Sequence, residues 1–201
     1  MQRSFTFTSK GDDPQNVGLD IDEMPQHENA YPFQGVLCRL DEPSFKPPGG
    51  ASGHKVWISS AVAQKALPSL IGMPLNVKEG SYSDHDKTNP IGTVLRAWID
   101  GQNLWIAGVL HGKYHPHAVA TIKANKDLLG LRYEVGNVAI RSENEDVWHL
   151  DAFEFTGVAA LLKDAAAYGS KTSIAASTTQ RDTWTPAMRT LRQQAQALRW
   201  R

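Results

Sequence analysis

Gly130-Leu131-Arg132-Tyr133-Glu134 lies in residues 129–140, a run rich in strand formers that predicts one long strand with an arginine set into it. The polar turn Arg141-Ser142-Glu143-Asn144-Glu145-Asp146 then returns the chain to a second strand over 147–155. Upstream, 91–99 and 104–110 flank Asp100-Gly101, a strong hairpin signal because glycine accepts positive φ. Residues 33–40 and 55–59 read as two further strands, separated by the turn cluster Pro47-Pro48-Gly49-Gly50. Two helices are predicted among these strands. One spans 61–67, capped by Ser59 or Ser60 and ended by Pro68 and Gly72; the other spans 117–125. Strands outnumber helices and adjoin through short turns. The expected class is α+β, mostly antiparallel β, with a barrel or sandwich core and peripheral helices.

Bulk properties narrow the function classes. With 201 residues, 41% of them hydrophobic, the chain can bury one core, or one core plus arms. A formal net charge of zero gives no general pull toward nucleic acid or acidic lipid. The single cysteine, Cys38, excludes an intramolecular disulfide framework and suits a reducing cytosol. The start, Met1-Gln2-Arg3-Ser4-Phe5, lacks the apolar segment of a secretory signal. No window reaches the roughly 18 uncharged apolar residues of a membrane-spanning helix.

Composition divides the chain into a flexible N-terminal arm (1–32), a folded domain (33–175) and a basic C-terminal tail helix (176–201). In the tail, Thr185 caps and Pro186 suits the first turn, while Met188, Leu191, Ala195 and Leu198 form one stripe. From residue 181 onward there are five arginines against one acid. The tail therefore reads either as a helix that docks on a partner or as one that packs back on its own core.

Four stretches, in order, resemble the prohead (capsid maturation) proteases of tailed bacteriophages, which share the herpesvirus assemblin fold. The first is Gly35-Val36-Leu37-Cys38-Arg39-Leu40-Asp41-Glu42-Pro43-Ser44 with Pro47-Pro48-Gly49-Gly50. Ala66-Leu67-Pro68-Ser69-Leu70-Ile71-Gly72-Met73-Pro74 follows, and then His85 with Ile91-Gly92 at the family's spacing. The last is Phe155-Thr156-Gly157-Val158-Ala159-Ala160-Leu161-Leu162 with Ala165-Ala166-Ala167-Tyr168 and Thr172-Ser173.

The resemblance implies a serine protease site: His85 as general base, position 132 as nucleophile and Glu154 as the acid that orients the histidine. Position 132 is arginine. A serine nucleophile needs a hydroxyl within reach of a neutral imidazole, whereas arginine keeps its proton and cannot attack a carbonyl. On this reading the chain is nearly inert as a protease, and Arg132 is expected to pair with Glu154 instead. His85 and Arg132 are expected on neighbouring strands, facing the same way. Ser83, Ser142 and Thr156 are weighed as replacement nucleophiles, and each reads better as a cap, turn or surface group.

Other features have plain readings. His111, His115 and His117 sit in a loop broken by Gly112 and Pro116, with no cysteine or acid among them, so no metal site is expected and no cofactor is implied. Trp57, Trp98, Trp105 and Trp148 fall inside apolar strand runs, which favours packing over ligand stacking. The resemblance points to a phage capsid-assembly protein, catalytically inactive, that acts as a shell-binding or structural component. The alternative is an active prohead protease that cleaves scaffold or capsid subunits. Expected partners are the major capsid or scaffold protein and further copies of the chain, without membrane or specific nucleic acid. The expected location is the host cytoplasm during assembly, and then the virion.

Overall fold

A computed structural model of the chain describes residues 29–84 and 86–176, with the backbone of 16–18. His85, the rest of the arm before residue 29 and the tail after 176, including its predicted helix, Trp184 and Trp200, lie outside the described residues.

Among the described residues, nine strands form one sheet. They are β1 (Asn16–Gly18), β2 (Ala30–Arg39), β3 (Lys55–Trp57), β4 (Pro74–Asn76), β5 (Pro90–Asp100), β6 (Asn103–His111), β7 (Leu129–Ile140), β8 (Val147–Leu162) and β9 (Ala175–Ala176). Two helices, α1 (Ser60–Ala66) and α2 (Pro116–Ala124), lie at its periphery. The hydrogen-bonded path runs β3-β8-β4-β5-β6-β2-β9, with β1 beside β5 and β7 beside β8. It is an open sheet and does not close into a barrel. All pairings are antiparallel except β3 with β8 and β4 with β8.

Local chemistry accounts for most of these elements. The β5–β6 hairpin turns at Gly101 and Gln102, and Gly101 has φ +56°, a conformation glycine adopts without a Cβ penalty. Ser59 caps α1, its Oγ accepting from the amide of Val62 at 3.3 Å. Pro116 opens α2, where its missing N–H leaves nothing unsatisfied.

β8 is longer than the predicted 147–155 and runs on to Leu162. Burial alternates from Phe153 to Gly157, but Gly157 to Leu161 is buried continuously. One face of that stretch joins the main core through Val158 and Ala160, while Ala159 and Leu161 pack with Ala166 on the other. A strand covered on both faces loses the alternation that marks strands in sequence.

The core is built from β2, β5, β6, β7 and β8, and includes Phe33, Leu37, Val94, Ile106, Leu131 and Phe155. Full burial of each such side chain contributes about 1.5–3 kcal/mol. The four strand tryptophans pack on strand faces: Trp98 stacks on Trp105, Trp148 on His54 and Trp57 on His149. Gly35 in β2 allows close approach, because a Cβ there would run into the carbonyl of Ser173 and into Leu131 of β7. Ser173 in turn exchanges hydrogen bonds with Val36, which seats the last described segment against β2.

Candidate functional site

The antiparallel register of β7 on β8 sets Arg132 opposite Ala159 and Glu134 opposite Gly157. Residues two apart on a strand share a face, so Arg132 and Glu134 stand together while Tyr133 turns into the core. Gly157 leaves room for its neighbour across the ladder: a Cβ there would lie 3.4 Å from the Glu134 carboxyl carbon.

The loop between β4 and β5 is tied to this face on both sides of residue 85. Asp84 Oδ1 lies 3.8 Å from Arg132 Nη1, and Lys87 Nζ lies 2.6 Å from Glu134 Oε2. The loop has internal ties as well. Asp86 Oδ1 accepts from the amide of Thr88 at 2.9 Å and from its hydroxyl at 2.6 Å. These bonds hold the Asp86 carboxyl below the usual carboxylate range. Asn89 Nδ2 donates to the carbonyl of Val77 across the loop base.

The opposite wall comes from the turn Pro48-Gly49-Gly50-Ala51. Gly49 lies close to that arginine, since a Cβ built there would stand 2.5 Å from Arg132 Nη2, the mobile end of a long side chain. Between the walls lies a cleft of about 550 Å³. One end is charged, with Arg132, Asp84, Lys87 and Glu134, and the other is apolar, with Val56, Val135, Val138, Ile140, Trp148 and Leu150.

Among the described residues lining this cleft there is no serine, threonine or cysteine. Ser83 donates to Ser81 in the exposed loop, Ser142 sits in the β7–β8 turn, and Thr156 is exposed on β8. The Cys38 thiol is buried, and burial pushes its pKa up, which keeps it protonated. The hydroxyl of Tyr133 is also buried. The described cleft therefore offers cations, carboxylates and apolar surface, and none of the usual acyl-transfer nucleophiles.

The expected Arg132–Glu154 pair does not form. Glu154 stands opposite Gly136, five residues along β8 from the rung of Arg132, or about 16 Å of extended chain. Its exposed carboxylate accepts instead from Asn137 Nδ2 at 2.9 Å. The acid at Arg132 is Asp84, and Glu134 shares its strand face. Glu134 was visible two residues from Arg132 in the sequence; Asp84 is brought there by loop closure alone. The placement of His85 as base, and its orientation relative to Arg132, lie outside the described residues.

No protein-family model matches the chain, and no curated protein matches it. Its structural neighbours are herpesvirus proteases. Varicella-zoster virus protease is 15% identical, with 77% of this chain and 67% of that chain covered and a TM-score of 0.44. KSHV protease in complex with a hexapeptide phosphonate inhibitor is 10% identical, with 82% and 75% covered and a TM-score of 0.45. Kaposi's sarcoma herpesvirus protease in complex with an allosteric inhibitor is 10% identical, with 82% and 88% covered and a TM-score of 0.42. Likenesses of this size place no activity on the chain.

The histidines at the end of β6 are held by other contacts. His111 Nε2 is 3.3 Å from Thr93 Oγ1, and His115 Nδ1 is 3.7 Å from Glu79 Oε1. Among the described residues, no group of three or more histidines, cysteines and acids gathers into a metal site.

Proposed function

We propose that the chain is a capsid-assembly protein of a tailed bacteriophage in which a protease-like fold serves as a non-catalytic, shell-binding component. It meets the major capsid or scaffold protein and associates with itself, in the host cytoplasm during assembly and then in the particle. The observation that carries this reading is the cleft lining, where Arg132 stands at the charged end and no serine, threonine or cysteine is present among the described residues. Arginine at that place supplies charge and hydrogen-bond donors for recognition, and no nucleophile for acyl transfer. The alternative, an active maturation protease, draws on the two ion pairs that anchor the loop around residue 85 to β7.

Co-expression with the phage's own shell and scaffold subunits tests the proposal. Particles are expected to contain this chain, with the shell and scaffold subunits at full mass. Trimmed subunits whose trimming is lost in His85→Ala would establish the proteolytic reading instead.

A further inference from the structure

Arg132 combines three properties. Its side chain is only 21% exposed, its nearest acid, Asp84, stands at 3.8 Å, and among the described residues its guanidinium makes no hydrogen bond. A guanidinium has five N–H donors in a planar fork, and here the fork lines a cleft with its donors unspent. The neighbouring cation differs, because Lys87 already meets Glu134 at 2.6 Å. Asp84 is 56% exposed, so its side chain can move into water if another anion takes the fork.

The rest of the cleft fixes what kind of anion fits. Beyond the charged end lies an apolar wall formed by Val56, Val135, Val138, Ile140, Trp148 and Leu150. Val138 is 40% exposed, a large apolar group left facing solvent. In a peptide's last residue the carboxylate and the side chain leave the same Cα, so one residue can meet both ends of such a site. At about 550 Å³ the space is in the usual range for small-ligand clefts.

We propose that this cleft binds the C-terminal end of a peptide, its free α-carboxylate held bidentately by Arg132 and its aliphatic last side chain seated on the apolar wall. The assignment rests on the non-catalytic reading of the same cleft and names the partner's chemistry. The arginine is then the recognition element, holding a chain end where a protease would cut within a chain.

Fluorescence anisotropy with labelled Ser-Gly-Ala-Val-Leu, as free acid and as C-terminal amide, tests this. A third probe carries an internal glutamate and an amidated end. The acid is expected to bind about tenfold more tightly than either amide, as a lost charge-assisted fork requires. Arg132→Gln should abolish that preference, and Val138→Lys, at an exposed position, should weaken all three probes. Equal binding of acid and amide, a preference that survives Arg132→Gln, or equal binding of the internal glutamate would each overturn the proposal. Mass spectrometry of the same mixtures separates the two readings. Cleaved probe would end the non-catalytic reading, while intact probe without acid preference would end only the chain-end assignment.

Discussion

Lys87 Nζ lies 2.6 Å from Glu134 Oε2, and this contact fastens the β4–β5 loop to the face of β7 that carries Arg132. The Glu134 side chain is 10% exposed and that of Lys87 is 69% exposed, so the pair is screened from one side only. Arg132 and Asp84, at 3.8 Å, form the looser tie.

The two ties should differ in double-mutant cycles. Lys87→Met with Glu134→Gln is expected to show a coupling of about 1 kcal/mol, and Arg132→Gln with Asp84→Asn a smaller one, as exposed pairs do. Arg132 with Glu154 should be additive, because the register separates them. Urea midpoints check all three, and measurable Arg132–Glu154 coupling would contradict the β7–β8 register.

Two glycine substitutions distinguish backbone obstacles from flexible ones. Gly35→Ala would drive a methyl into the Ser173 carbonyl and Leu131, and is expected to cost about 3 kcal/mol, the upper end for overpacking. Gly49→Ala meets only the Arg132 guanidinium, which can swing aside, and should cost under about 1 kcal/mol. Equal losses in denaturant midpoint would contradict this packing.

Cys38 should be chemically silent in the native chain. It has 0% exposure, and burial keeps its thiol protonated, away from the reactive thiolate. Iodoacetamide is expected to leave the folded protein unmodified and to alkylate it fully in denaturant. Rapid native alkylation would contradict the burial of β2.

His111 predicts the sign of a pH effect. Burial, and then the neighbouring His115, hold it below the ordinary 6.5, against an opposing hydrogen bond to the backbone at Pro90. As pH falls past 6.5 the unfolded chain takes up the proton first. The stability is thus present above 6.5 and declines as pH drops toward the lower folded value. His111→Gln, able to keep the contact with Thr93, should flatten that decline in melts run across the window. An unchanged slope would remove His111 from the account.

The sequence made some of this legible, for physical reasons. The β5–β6 hairpin, the full extent of β7 and the cap of α1 rest on local chemistry, namely a positive-φ glycine, a run of strand formers and a serine oxygen. β8 past Phe155 was hidden because burial on both faces erases alternation. β4 and β9, of three and two residues, exist only through their partners. At the site, the residue types at 132 and 134 were readable, but their partners were not. Thr156 is an extra residue on β8 between the rungs of Glu134 and Val135, which displaces everything toward Glu154 by one place. No motif spacing encodes that shift.

The most direct test needs no knowledge of substrate. The purified chain is treated with a fluorophosphonate, which phosphonylates activated serine hydroxyls, and its intact mass is read. With Arg132 lining a cleft whose described residues include no serine, threonine or cysteine, the unmodified mass is expected. A stoichiometric adduct on any hydroxyl, lost in His85→Ala, would contradict it.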